Sequence, residues 1–271
     1  MHQNEKDINS QLINEIIDAI NEGNTDVVRT LLDKIEDVNL KNDRGVPMIL
    51  YAANSGDVDI LELLLLKGAK TNIQDSEGWT ALMVAASAGH LNAVRLLIER
   101  GANIDLTNNG DATALMWAAS KGYIEIVESL LEKNPDINIK DKKGSTALMY
   151  AVDGNHADAA RAIMKKGADV AEKDNDGNTP LMIAVIRGNT EMVETLLEKN
   201  EGVNIKDASG ATALMRAAYY GYVDIVRLLL EKGAGVNLKD RHGNTAMKLS
   251  NIRFKEYSEI ISALKNVGAV E

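Results

Sequence analysis

The side chains of this 271-residue sequence that could carry acid–base or metal chemistry are four histidines, at 2, 90, 156 and 242, and forty carboxylates. A metal site needs ligands grouped at short, regular spacing. These histidines instead stand far apart, each in its own stretch of sequence. There is no cysteine, which removes thiolate ligands, disulfides and a cysteine nucleophile together. Neither a glycine-rich phosphate loop nor a nucleophile elbow occurs. Carboxylates without a pocket signature read as solvated faces. The sequence thus predicts no catalytic residue, no cofactor and no metal site, and the chain reads as non-enzymatic.

Recognition is the other chemistry available. Aromatic residues make up only 4% of the chain, yet three of them fall on one beat. At intervals of 33 residues stand Tyr51, Val84, Trp117, Tyr150, Ile183, Arg216 and Leu249. Tyr, Trp and Arg are the residue types most enriched where single side chains dominate a protein interface. Trp79 sits just before the residue that opens the next helix, and Tyr219 and Tyr220, with Tyr222 close behind, form a second aromatic cluster. The residues expected to bind a partner are therefore Tyr51, Trp79, Trp117, Tyr150, Ile183, Arg216, Tyr219 and Tyr220.

The elements that must position this row are legible as a repeat. Thr80, Thr113, Thr146, Thr179, Thr212 and Thr245 are each 33 residues apart, and five of them open the phrase Thr-(Ala/Pro)-Leu-Met. A fixed period of this length marks stacked supersecondary units. Threonine is a good helix N-cap, because its hydroxyl can accept a bond from a free amide of the first turn. A short helix with small residues on one face follows. Gly23, Gly56, Gly89, Gly122, Gly188 and Gly221 are placed to end it. A second amphipathic helix then runs to Gly68, Gly101, Gly167 and Gly233, or to Asn134 and Asn200 in the two repeats that lack the glycine. Met83, Met116, Met149, Met182 and Met215 lie between fixed Leu and Ala positions and are expected in the core.

The phrase Asp-x-x-Gly-x-Thr-(Ala/Pro)-Leu, followed by Ala-Ala, Gly, Val-x-x-Leu-Leu and Gly-Ala-x-(Val/Ile)-Asn, resembles the ankyrin repeat. The resemblance covers nearly the whole chain. It implies an all-α repeat solenoid of helix-turn-helix units joined by β-hairpin loops, with the first helices and hairpins lining a concave face. It further implies a protein-binding module, acting as adaptor, scaffold or inhibitor. Two departures are expected to matter. The family's Thr-Pro-Leu-His has become Thr-Ala-Leu-Met almost throughout, which removes a histidine's hydrogen bonds. The glycines of Asn108-Asn109-Gly110-Asp111 and of Gly154-Asn155 come one position early, which predicts a differently bent hairpin tip and a perturbed repeat.

The period divides the chain into one domain, 1–271. It comprises a polar tail at 1–8, an N-terminal capping repeat at 9–41, six internal repeats over 42–239 and a C-terminal capping repeat at 240–271. The caps differ from the internal units in polarity, as the exposed ends of a solenoid must. Gln11, Asn14, Glu15, Asp18 and Asn21 mark the first, and Lys248 with Ser250-Asn251 and a second helix around Phe254 to Asn266 mark the last.

The net charge is −10 with no run of Lys or Arg, which argues against nucleic acid and against a membrane surface as partners. It favours a protein partner with a basic patch. The hairpin tips, Lys140 to Lys143, Lys173 to Asp176 and Asp240 to His242, read as solvated turns that tune such an encounter. The polar start and the absence of a long apolar run predict a soluble, cytoplasmic, monomeric protein. Two alternatives stand beside it: a solenoid that self-associates, and an exported bacterial effector that binds a host protein.

Overall fold

The computed structural model describes residues 2–198, 202–253 and 258–270. Among them are sixteen helices and no named strand. They fall into two compact units, Met1–Asp136 and Ile137–Glu271. The first holds α1 (His2–Asn21), α2 (Thr25–Leu32), α3 (Met48–Ser55), α4 (Val58–Leu66), α5 (Ala81–Ala88), α6 (Leu91–Glu99), α7 (Ala114–Lys121) and α8 (Ile124–Leu131). The second holds α9 (Ala147–Asp153), α10 (Ala157–Lys165), α11 (Pro180–Ile186), α12 (Thr190–Leu197), α13 (Ala213–Tyr220), α14 (Val223–Glu231), α15 (Ala246–Arg253) and α16 (Ser258–Asn266). Residues 2–8, set apart in the sequence as a polar stretch, are the opening turns of α1. Asn200 and the start of the segment around Phe254 lie outside the described residues.

Helices of only seven to nine residues are too short to be stable alone. Here they are fixed by their neighbours, and the first helix of most repeats also by a threonine cap. Thr80, Thr113, Thr146, Thr179 and Thr212 each accept a bond from the amide of the methionine three residues on, at 3.3 to 3.5 Å. These threonines are at most 4% exposed, so the hydroxyl also answers a buried donor. In the first unit α3 packs against α1 and α5, and α5 against α7. In the second, α11 packs against α9 and α13, and α13 against α15. The even-numbered helices form a parallel tier, α2 to α8 in one unit and α10 to α16 in the other. The small faces let this happen: Ala85, Ala86, Ala118 and Ala119 are fully buried. The methionine row is core, with Met83, Met116, Met149, Met182 and Met215 each 1% exposed.

In α1 the polar residues Gln11, Asn14, Glu15, Asp18 and Asn21 are all exposed, while Ile13, Ile16, Ile17 and Ile20 are buried against the following helices. Among the described residues, no helix is long and apolar enough to cross a membrane.

The loops between helix pairs close by turn bonds rather than by a ladder; Lys41 and Pro47 form an isolated antiparallel bridge. In each, the amide of an Asp or Asn bonds the carbonyl four residues on, as in Asp75 to Trp79 and Asp174 to Asn178, both at 3.0 Å. Consecutive loops are bonded to each other through Asn109 to Glu77, Asn175 to Lys143, Ala208 to Asp176 and Arg241 to Ser209. A clasp of asparagine side chains adds to this. Asn39, Asn72, Asn204 and Asn237 each donate to a carbonyl 29 or 31 residues on and accept an amide one repeat further along the chain. Lys140, Lys173 and Lys206 each donate to the backbone carbonyl of the residue 33 positions later.

Both early glycines turn out to leave the repeat intact, contrary to the expectation of bending. At the first, the loop closes by the usual bonds, Asn108 to Ala112 at 3.1 Å and Asp111 to Asn108 at 2.9 Å. Asp111 simply takes the left-handed backbone itself, at φ 61°. At the second, Asn155 takes it at φ 62°. Aspartate and asparagine tolerate that region better than other residues with a side chain. By contrast Gly177, at φ 79°, is needed twice over: a Cβ there would lie 2.5 Å from the Ala208 amide nitrogen of the next loop.

Two substitutions follow from this. Asp111→Gly relieves a left-handed residue and should raise unfolding stability by about 1 kcal/mol. Gly177→Ala should lower it by at least about 2 kcal/mol, since strain and a backbone clash add. Urea unfolding followed by helical circular dichroism measures both. An Asp111→Gly variant no more stable than the parent would mean that the aspartate side chain offsets its own strain.

Candidate protein-binding surface

One side chain per repeat organises the surface on which the candidate row lies. At positions 42, 75, 108, 141, 174, 207 and 240 stands an Asp or Asn whose Oδ1 accepts two amides, from the second and fourth residues on. These are the residues that begin each loop, and the bonds fix where the following helix starts. Asp141 and Asp207 are 8% and 6% exposed. The tips are thus not wholly solvated turns, as their charge pattern implied, because the aspartate at the base of each is partly or fully enclosed.

In three of these loops the second polar atom of the side chain reaches the row residue nine positions on. Asn42 donates through Nδ2 to the Tyr51 hydroxyl at 2.9 Å. The Tyr150 hydroxyl donates to Asp141 Oδ2 at 2.8 Å. Arg216 donates through Nε to Asp207 Oδ2 at 3.1 Å and also through its terminal nitrogen. Beside the apolar row residues Ile183 and Leu249 an asparagine takes over, Asn178 donating to Asp174 Oδ2 and Asn244 to Asp240 Oδ2. The sequence contained this signal as paired choices at a spacing of nine, which the reading by period alone passed over.

In the first unit the half-buried Tyr51, Val84 and Trp117 share the row, and Trp79 stacks on Trp117 with ring centres 4.8 Å apart. An open notch of about 320 Å³ is lined by Val46, Leu50, Tyr51, Asn54, Asp75, Trp79 and Val84. In the second unit Tyr150 and Ile183 line a groove of about 340 Å³ with Met149 and Ile186, rimmed by Asp141, Lys143, Asp153, Asp174 and Arg187. There Arg187 and Asp153 are already bonded to each other. Arg216, Tyr219 and Leu249 meet in a smaller groove beside Asp240. Tyr219 and Tyr220 contact edge to face, and Tyr220 stacks on Tyr222. Tyr222 has a structural task, since its ring lies where a Cβ on Gly188 would be, 2.9 Å away. His90 covers Gly56 in the same manner and bonds the Asn54 carbonyl at 2.9 Å. Among the described residues, no three His, Asp or Glu side chains gather as a metal site would require.

Ionisation is displaced at several groups, Tyr150 and Asp207 among them. Burial, and then the bonded Asp141 carboxylate, hold the Tyr150 phenol well above the ordinary tyrosine range. For Asp207, burial works to raise the pKa. Bonds from Ser209, Arg216 and the Ala211 amide outweigh it, so the carboxyl lies below its ordinary value.

A tier of short helix pairs, capped by threonine and joined by bonded loops, defines a repeat protein of the solenoid class. The sequence profile described as ankyrin repeats (3 copies) matches residues 16–108, 48–141, 105–174, 170–240 and 199–268. The chain therefore belongs to the ankyrin repeat family, whose members are protein–protein interaction modules. Among solved structures it is similar to the ankyrin repeat domain of Bcl-3, a member of the IkappaB protein family. The identity is 24% and the TM-score 0.70, over 93% of this chain and 97% of that one. This likeness speaks to the fold. A comparison with curated proteins gave no match.

The Asp207 geometry makes a graded prediction. Asp207→Ala strands the Ser209 and Ala211 amides as well as Arg216, and should cost about 2–3 kcal/mol. Asp207→Asn keeps the turn, as asparagine does at 42 and 108, and should cost about 1 kcal/mol. Because the folded pKa is lowered, the carboxylate's contribution is complete above the ordinary value of about 4 and fades as the pH falls below it. The gap between wild type and Asp207→Asn in urea unfolding should hold from neutral pH down to about 5 and close in more acid solution.

Proposed function

We propose that this protein grips a partner protein along the row at the loop side of its first helices, acting by occlusion or scaffolding without chemistry of its own. The observation that carries the reading is that the row combines half-buried aromatic rings with a fixed polar backing. Tyr51, Tyr150 and Arg216 are each held by the loop of their own repeat. Side chains held in place before contact lose little entropy on binding. Trp79 with Trp117 in the first unit, and Tyr219 with Tyr220 in the second, extend the surface. Ile183 supplies an apolar contact between them in the chain.

The repeat period runs unbroken through the chain, in keeping with a single repeat domain with caps at 9–41 and 240–271. A net charge of −10 favours a partner with a basic patch. Cysteine-free composition suits a reducing cytoplasm, and a monomer leaves the row open.

The test is capture from the source lysate with wild type and with Trp117→Ala/Tyr150→Ala, read by mass spectrometry. A protein retained by the wild type and lost by the variant, with helical circular dichroism unchanged in both, is the expected result. Equal capture by both proteins would move the site away from the row. Light scattering of the pure protein separates this reading from self-association: a monomer is expected, and a concentration-dependent oligomer whose assembly the same variant abolishes would replace it.

A further inference from the structure

The seven loop-base side chains differ in how their second polar atom is used. In Asp141, Asp174, Asp207 and Asp240 the Oδ2 oxygen accepts a bond from Tyr150, Asn178, Arg216 and Asn244 respectively. Asp75 is the exception among these aspartates. Its Oδ1 accepts the Glu77 and Trp79 amides at 2.9 and 2.8 Å, but nothing among the described residues donates to its Oδ2. The row residue nine positions on is Val84, which carries no donor, and the residue four on is Trp79, whose ring stands in the wall of the notch.

Asp75 lines the notch in a particular environment. Tyr51 and Trp79 give aromatic walls, and Leu50, Val46 and Val84 give apolar ones. Asp75 is the one carboxylate among the lining residues, and none of them is basic. The groove of the second unit is different, since Lys143 and Arg187 already stand among its carboxylates. A negative charge at the side of an apolar, aromatic notch suits a cation carried on an apolar stem. Guanidinium is the better fit, because it stacks on aromatic faces and donates to a carboxylate in the same plane.

We infer that the notch formed by Tyr51, Trp79, Val84 and Asp75 is a pocket for one arginine side chain of a protein partner. The inference rests on the row being the binding surface, and it assigns to this end of the row the recognition of positive charge. Asp75 sets the preference for a cation, Trp79 and Tyr51 flank its stem, and the loop bonds to Oδ1 hold the carboxylate still.

The probe is the blocked tripeptide acetyl-Gly-Arg-Gly-amide, with the uncharged citrulline peptide as its isostere. Trp79 and Trp117 are the only tryptophans in the chain, so intrinsic fluorescence reports on the notch directly. The arginine peptide should give a saturable change in the millimolar range, and the citrulline peptide should bind at least about fivefold more weakly. Asp75→Asn should erase that difference while leaving the fold unchanged, because Asn42 and Asn108 already hold the same two amides in their own loops. Asp141→Asn, whose carboxylate is engaged by Tyr150, should respond to the peptides as the wild type does.

Equal binding of the two peptides, an unaltered preference in Asp75→Asn, or no saturable response by about 10 mM peptide would each overturn the inference. Its failure is separable from failure of the row itself. If Trp117→Ala/Tyr150→Ala loses the captured protein while Asp75→Asn keeps it at full strength, the row stands and the arginine pocket falls. If the row variant captures as the wild type does, the row reading falls, whatever the peptides show.

Discussion

The bond on which the rest depends is the acceptance of two backbone amides by one Asp or Asn at the base of each loop. The loop carries no sheet ladder to stiffen it, so a side chain does the work of strand pairing. With Oδ1 held by the second and fourth residues on, the chain arrives at the threonine in a single direction, and the threonine can cap the helix that follows. The same side chain then has one polar atom left over. Where that atom bonds a row residue, as at Asn42, Asp141 and Asp207, the device that builds the loop also decides how the candidate surface is charged and how firmly its side chains are held.

Short helices become stable here only through their neighbours. A helix pair cannot bury its own apolar face, and stacking solves this by burying it against the next pair. Ala85 and Ala118 permit close approach, and the buried methionines fill what remains between helices. The stacking is further registered by polar bonds. Asparagine clasps such as Asn204 to Gly233 and Gly235, and lysines such as Lys173 to the Lys206 carbonyl, join backbone groups of adjacent repeats that would otherwise need water. Glycine is required where loops approach most closely, as at Gly177 over Ala208.

Each unit uses the same frame to present a different surface. In one, Trp79 and Trp117 stack beside an aspartate with an open oxygen. In the other, Tyr150 and Arg216 are bonded to their own loops, and Arg187 is paired with Asp153. The first surface keeps a carboxylate oxygen to which no described residue donates, while the second has largely paired its own charges. Differences of this kind cost the fold little, since they sit at positions that the repeat leaves free.

The period of 33, the threonine caps, the glycine helix ends, the buried methionines and the candidate row were all legible in the sequence, because each depends on residue type at a fixed spacing. The early glycines at 110 and 154 imply a bent tip and a perturbed repeat, and the structure shows neither. Backbone direction there is set by loop bonds and stacking, and Asp111 and Asn155 carry the left-handed conformation instead. In the sequence Tyr222 stands only in an aromatic cluster, whereas its ring also covers Gly188 of the preceding repeat. Which row residues are tethered, and that Asp75 keeps an open oxygen, could be decided only in three dimensions. Those properties depend on where a second side-chain atom points once the loop has closed, and loop closure joins residues whose relation is one of distance rather than of order along the chain.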